Sequence, residues 1–253
     1  MTKILKELGL HQEDGMISIP QYATKVSIDV GLSVNAPQSA TWLEHDPELF
    51  VLGFEPIQSN IDFIHKGNAP WPKNLQPWMI GKRICIVKAA LAETDEPKPV
   101  NFYVTKLDPG CSSFLKPVSL EIDRIELVNV FKLDTILEHF PYNRIPYIEH
   151  LKIDAQGTDF NVVKGVTNNL NRILFVTLEV DTVNYIGSNQ SEKEVSEFFR
   201  LNGFHRISNS ILSRINRKIR RINVDLETDD PTYINLPLYF KLGRPQKWIY
   251  QRG

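Results

Sequence analysis

Cysteine is nearly absent from this 253-residue chain: Cys85 and Cys111 are the only two, and neither belongs to a Cys-x-x-Cys pair or a Cys/His cluster. A disulfide-built scaffold and a structural zinc site are thereby excluded, and a reducing compartment is expected. No stretch approaches about 18 uninterrupted apolar residues, and the opening MTKILKELGLHQEDGM is too interrupted by charge for a signal peptide. The expectation is a soluble, cytoplasmic protein without a membrane span. An excess of charge of either sign is missing too, since 29 Lys and Arg face 30 Asp and Glu. That balance argues against a globally basic nucleic-acid binder, and 42% hydrophobic residues argue against disorder. Repeats, low-complexity tracts and Gly/Ser linkers are lacking as well, so residues 1–253 are expected to form one domain.

Five apolar bursts organise the chain: VSIDV, LFVLGFE, RICIVKAAL, YIEHLKID and ILFVTLEV. They are short, rich in β-branched residues and nearly continuous, as parallel strands covered on both faces tend to be. Helical spacing fills several of the gaps. NAPQSATWLEH offers Asn35 as N-cap and Pro37 in the first turn, TDFNVVKGVTNNL aligns Phe160, Val163, Val166 and Leu170, and SEKEVSEFFRLNG opens with Ser191 and Glu194 at capping-box spacing. Strand and helix alternate, which predicts an α/β doubly wound fold. Residues 1–25 read as an N-terminal extension. Residues 95–146 read as a β insertion, with VNFYVT and RIELVNVFKLDTIL as strands ending in a short helix. Residues 204–253 read as a terminal hairpin of HRISNSIL and TYINLPLYFKL around a basic segment.

The chemistry begins where the first burst ends. Asp29-Val30-Gly31-Leu32-Ser33-Val34-Asn35 turns from a strand into a helix, the position at which doubly wound sheets hold nucleotide-like ligands. Gly31 permits close backbone approach. The loop is not Gly-x-Gly-x-x-Gly, which disfavours NAD and FAD. The second burst ends in Gly53-Phe54-Glu55-Pro56, and an acidic side chain there is placed to accept from ribose hydroxyls. A solvated loop glutamate is the structural alternative.

IDVGLSVNAPQS, GFEP, LKIDAQGTDFNVVKG and LEVD together resemble the FkbM-type branch of the class I S-adenosylmethionine-dependent methyltransferases, over approximately residues 26–203. The most specific stretch is Lys152-Ile153-Asp154-Ala155-Gln156-Gly157, where Gln156 stands in place of the family's common Glu. That exchange removes a negative charge and supplies an amide that donates as well as accepts. The first loop also lacks the several glycines usual in class I enzymes. The resemblance implies a Rossmann-like, mostly parallel seven-stranded sheet with an antiparallel last strand, S-adenosyl-L-methionine as cofactor, and methyl transfer to a hydroxyl of a sugar, glycan or small natural product. It places Asp29, Gly31, Ser33 and Asn35 in the loop beneath the methionine part, Glu55 and Pro56 at the ribose, Ala89 and Ala90 at the adenine edge, and Asp154 with Gln156 beside the methyl donor.

Asp154 is the first candidate for base or orienter, with Glu179 and Asp181 on the same sheet edge. Lys152 lies two residues before Asp154, so the two share a strand face and can pair. His150 reads as a satisfied interior histidine. Asp154, Glu179 and Asp181 are oxygen donors suited to Mg²⁺, but no diagnostic ligand spacing is present and no metal is expected. On the substrate side stand Ser112 and Ser113, Arg217 within the basic SRINRKIRR, and Trp42, Trp71 and Trp78 as candidate walls. Ile211, Ile215, Ile219 and Ile222 recur at helical spacing through that basic segment, which favours an amphipathic cover helix over an anion site. Two other functions fit less well: an RNA 2′-O-methyltransferase, and a noncatalytic protein that binds the cofactor. The sequence carries no signature of an oligomeric state.

Overall fold

A computed structural model describes residues 3–71, 73–180, 184–188, 191–208, 211–212, 215 and 230–245. In chain order the elements are α1 (Lys3–Glu7), β1 (Gln12–Glu13), β2 (Met16–Ile17), β3 (Lys25–Val30), α2 (Pro37–His45), β4 (Leu49–Phe54), α3 (Gln58–Lys66), β5 (Ile84–Val87) and β6 (Ala90–Ala92). There follow β7 (Val100–Thr105), β8 (Ile122–Val128), β9 (Val130–Lys132), α4 (Leu133–Leu137), β10 (Ile148–Ile153), α5 (Asp159–Lys164), β11 (Ile173–Leu178), α6 (Glu192–Leu201), β12 (Phe204–Ile207), β13 (Thr232–Asn235) and α7 (Leu236–Lys241).

The apolar bursts become the centre of a mixed seven-stranded sheet of order β12-β13-β11-β10-β3-β4-β5. From β11 to β5 every pairing is parallel, and β13 runs antiparallel to both β11 and β12. Every residue of β4 and β11 is buried, because helices and loops cover both faces. Alternation divides the side chains: Val26, Ile28, Phe50 and Leu52 enter the largest core cluster, whereas Leu49 and Val51 pack with Trp42 and Leu43 of α2 on the opposite face. The N-terminal segment reaches the same core through Leu5 and Ile17. In the 95–146 region β7 and β8 pair antiparallel and β9 runs into the short helix α4.

Four local expectations are corrected. RICIVKAAL is two strands: the Ala89 N–H bonds back to Val87 O (3.0 Å), and Ala90 then turns to Asn129 O (2.9 Å), so the chain leaves β4 and pairs with β9 instead. The N-cap of α2 is Ala36 in the left-handed region (φ 47°), not Asn35, with Pro37 in the first turn as read. Helix α5 stops at Lys164, and beyond it Val166 is buried in a turn and Leu170 at the start of a short 3-10 helix. TYINLPLYFKL is strand only to Asn235, whose side chain accepts from Leu238 N–H and caps α7, with Pro237 in its first turn. The Ser191–Glu194 capping box is present with both reciprocal bonds. Most of the basic segment, with Arg217, lies outside the described residues; Leu212 and Ile215 are buried against Leu174 and Phe175.

One glycine fixes how the strand ends meet. Gly31 has φ +78°, and a Cβ there would lie 2.0 Å from the Asp154 carbonyl oxygen, whereas Gly15 has the same φ with nothing within 4 Å. The pair separates backbone preference from close approach. Gly15→Ala is expected to cost about 1 kcal/mol, and Gly31→Ala more than about 3 kcal/mol or the fold itself. Urea denaturation of the two variants checks this, and equal losses would show that the β3 and β10 ends are not pressed together.

Candidate functional site

The carboxyl ends of β3, β4 and β10 open into a cavity of about 430 Å³, a volume suited to a small-molecule ligand. Its wall includes Gly31, Ser33, Asn35, Glu55, Pro56, Ala89, Ala90, Asp154 and Gln156, so the structure brings together residues that lie far apart in the chain.

One end is built around Glu55. The side chain is buried, Oε1 accepts from Ile57 N–H (3.0 Å) and Asn60 Nδ2 (3.2 Å), and Oε2 accepts from Ser33 N–H (2.9 Å). A carboxyl group offers about four hydrogen-bonding positions, so one is left on Oε2, a donor while the group is protonated and an acceptor once it ionises. Burial pushes the Glu55 carboxyl up to about 8 in spite of those donors, with the Asp154 charge adding to the rise. Asn60 is buried on the cavity wall, and because its NH₂ faces Glu55, its Oδ1 is left with no protein donor. Next to this end Ala90, Ile57, Phe102 and Val104 form an apolar cluster with Phe114, whose ring meets Phe102 edge-on at 5.0 Å.

The other end is built around Asp154, whose side chain is 39% exposed. Lys152 Nζ lies 3.1 Å from Asp154 Oδ2, 3.7 Å from Asp29 Oδ1 and 3.4 Å from Gly31 O, so the expected same-face pair forms. Burial opposes the ammonium charge, but the Asp154 and Asp29 carboxylates outweigh it and hold Lys152 protonated beyond the ordinary lysine range. Gln156 sits in the left-handed region (φ 50°) and donates through Nε2 to both Asp154 Oδ1 (2.5 Å) and Glu179 Oε2 (3.1 Å), while its Oε1 accepts from Tyr185 OH (2.6 Å). Two acceptors and one donor around one amide fix its orientation. A carboxylate at 156 would have no hydrogen to offer either neighbour. The turn itself is held by Asp159, which accepts from Ala155 N–H (2.9 Å) and Gly157 N–H (3.2 Å); burial and then the Asp154 charge push its carboxyl up to about 8.

Several expected residues do other work. Asp29 is off the cavity wall: Oδ2 accepts from Ser39 N–H (3.1 Å) and Ser39 Oγ (2.5 Å), anchoring the first turn of α2, and burial raises its carboxyl. Ser112 touches the cavity, yet its hydroxyl donates to Pro109 O (2.7 Å) and accepts from Thr105 N–H (3.1 Å). Ser113 donates to Gln156 O (2.7 Å) and accepts from Leu115 N–H, so both serines secure the loop. Trp42 is interior, 5.1 Å from His150 and remote from the wall; Trp78 is exposed away from it, and Trp71 alone of the three lines it. His150 contacts Thr177 Oγ1 at 2.8 Å inside the core, as an interior histidine would. Asp181 lies outside the described residues. Among the described residues no three His, Cys, Asp or Glu side chains are grouped to hold a metal ion, and Cys85 and Cys111 are unpaired. Asn60, Asp108, Asp159 and Tyr185 went unread in the sequence. Asp159, five residues past Asp154 at a helix start, was the one with a local signal.

A cavity over the carboxyl edge of a mixed α/β sheet, with buried polar groups at one end and a reachable carboxylate at the other, defines an α/β protein with a cavity of small-molecule size at its strand ends. The Methyltransferase FkbM domain matches residues 29–206, and the chain belongs to the FkbM methyltransferase family. No curated protein matches the chain.

Glu55 and Asp159 give the apo protein a pH signature. Both keep a proton in the fold up to about 8 but ionise near 4 when unfolded. Stability therefore falls as pH rises between these values and levels off above them, by on the order of 5 kcal/mol per group. Urea denaturation from pH 5 to 8 is expected to show this slope, with Glu55→Gln making it shallower whatever that variant's absolute stability. An unchanged slope would mean that Glu55 is not desolvated.

Proposed function

We propose that the protein is an S-adenosylmethionine-dependent O-methyltransferase acting on a hydroxyl of a sugar, glycan or small natural product. Its sheet is read as a doubly wound, Rossmann-like layer, and the chain as one methyltransferase unit working in the cytoplasm. The observation that carries the reading is Glu55: a buried carboxyl group at the end of β4, on the cavity wall, with one hydrogen-bonding position uncommitted. Asn60 Oδ1 on the same wall, without a protein donor, and the slot beside Ala90 and Phe102 fit a hydroxylated sugar bearing a planar base.

When bound, S-adenosylmethionine supplies a methyl group made electrophilic by its sulfonium. Glu55 holds the ribose side, Ala89 and Ala90 face the base, and Gly31 with Ser33 and Asn35 form the loop beneath the methionine part. Asp154, reachable from the cavity and fixed between Lys152 and Gln156, orients the acceptor hydroxyl and takes its proton. Positioning dominates such a transfer and can remove roughly 7–11 kcal/mol of barrier, while general-base assistance adds about 10²–10⁴-fold. A phosphate-rich RNA suits this end less well, since carboxylates surround the transfer point.

Calorimetry with S-adenosylmethionine and S-adenosylhomocysteine, followed by labelled-methyl transfer to a panel of glycosides, tests the reading. Wild type is expected to bind both and to transfer label. Asp154→Asn is expected to lose about 100-fold or more in turnover while still binding S-adenosylhomocysteine. Absence of heat with either compound removes the cofactor, and full turnover in Asp154→Asn removes the base.

A further inference from the structure

Trp71 lines the cavity, yet 46% of its surface is exposed. Among the described residues it joins no hydrophobic cluster, meets no other ring, and donates its indole N–H to no protein group. A tryptophan that serves the core buries its ring and finds an acceptor for that N–H. This one does neither, although its backbone is tied down. Asn74 accepts from Ala69 N–H (3.1 Å) and donates to Ala69 O (3.0 Å) and Trp71 O (2.8 Å), which closes the turn on both sides of the indole. A braced backbone carrying an unengaged aromatic ring is a contact surface held ready, and with only two side-chain torsions to fix it costs little entropy on binding.

The anchors of the loop decide which part of the cavity the ring serves. Leu75 is buried with Leu32, Ala36 and Ile64, and its N–H donates to Asn35 O (2.9 Å) at the start of α2. At the end of α3 a Cβ on Gly67 would lie 2.7 Å from the Pro77 ring, so the far side of the loop is pressed against that helix. Both anchors belong to the helices that leave the ends of β3 and β4. Trp71 therefore stands on the side of the cavity that carries Glu55 and Asn60, and not on the insertion loop or at the 154–156 turn. Asn60 Oδ1 on that side has no protein donor, an independent sign that a polar ligand completes it. A pentose joins the two requirements: its hydroxyls suit Glu55 and Asn60, while its C–H groups carry slight positive charge and are drawn to the negative face of an indole.

Resting on the function proposed above, we infer that the Trp71 indole covers the ribose of the bound cofactor and sets cofactor affinity, and that it is not a wall of the acceptor site. S-Adenosylhomocysteine and 5′-methylthioadenosine share the nucleoside and differ in the amino-acid part, so titrating both into the full chain, by calorimetry and by tryptophan emission, locates the contact. Of the four tryptophans, Trp42 is interior, Trp78 is off the wall and Trp248 lies outside the described residues; the difference between wild type and Trp71→Phe isolates Trp71. Wild-type emission is expected to change on binding, and most of that change to vanish in Trp71→Phe. Trp71→Ala is expected to raise the Kd of both compounds by about 10-fold, with an unmoved denaturation midpoint because the ring is half exposed. An unchanged Kd in Trp71→Ala, or an emission change that Trp71→Phe leaves whole, overturns the inference. A loss confined to S-adenosylhomocysteine overturns it by placing the ring on the amino-acid part, and a raised KM for the glycoside at unchanged Kd overturns it by giving the ring to the acceptor. Equal heat from wild type and Trp71→Ala puts the fault in this inference alone, whereas no heat from wild type removes the function and this inference with it.

Discussion

The close passage of two backbones, Gly31 against Asp154, is the constraint on which the site depends. The Asp154 N–H donates to Val30 O (3.0 Å) and the Gly31 N–H donates to Phe54 O (3.0 Å), so the ends of β10, β3 and β4 are laced together one step past the ladder. With no side chain at 31, Lys152 can reach Gly31 O and stand between the two aspartates. Asp29 is thereby free to face inward and hold α2. A larger residue at 31 would separate the strand ends and take Asp154 away from both Lys152 and the rest of the wall.

Around that contact the chain accepts backbone strain. Ser33, Ala36 and Gln156 are non-glycine residues with positive φ, and all three flank the cavity loops. Each such residue costs about 1–3 kcal/mol and persists only where its surroundings over-determine it. Here they do. The Ser33 N–H is fixed by Glu55, and the Gln156 carbonyl and amide are fixed by Ser113, Asp154, Glu179 and Tyr185. The 184–188 segment adds a further tie: Asn184 and Ile186 pair with the insertion at Val118 and Lys116, and Tyr185 packs on Gly157, where a Cβ would meet its ring at 3.0 Å.

How much of this was readable follows from where the information sits. Strands β4 and β11 are nearly unbroken apolar runs and β3 and β10 are apolar bursts broken by a few polar residues, as burial on both faces demands, so their positions were plain. Gly31, Glu55 and Asp154 were equally plain, because a strand end followed by a polar residue is a local pattern. What local pattern cannot carry is the direction of a side chain after the chain has turned. Asp29 and Glu55 are both acidic residues at the ends of parallel strands, yet one faces Ser39 in the interior and the other the cavity. The register pairs Asp29 with Gly53, so Asp29 and Glu55 share one pleat face; the difference is position along the strand, Asp29 lying inside β3 beneath α2 and Glu55 one residue beyond the end of β4. Ser112 and Ser113 read as ligand contacts because serine suits either task, and only the folded loop shows their hydroxyls committed to protein groups. Asn60 and Tyr185 are legible in nothing but three dimensions, since their roles come from partners 5 and 29 residues away. The split of RICIVKAAL was hidden for the same reason: an apolar run continues through Lys88 while its hydrogen-bond partner changes from β4 to β9.

The two ends of the cavity are supported by different parts of the chain, and this separates their tolerances. Glu55 and Asn60 are set by β4 and α3, with the apolar slot closed by β6, β7 and β9. Asp154 and Gln156 are set by β10, the end of β11, the insertion loop and the 184–188 segment. The ends meet mechanically at few points, chiefly the 31–33 loop, which touches Glu55 through Ser33 and Lys152 through Gly31. Changes in the insertion loop can thus reshape the Asp154 end without breaking a hydrogen bond of Glu55, and they reach the Glu55 end through Phe114 in the apolar cluster. The reverse does not hold for Gly31. It serves both ends at once, which is why a single hydrogen atom there matters more to the site than any of the polar side chains it brings together.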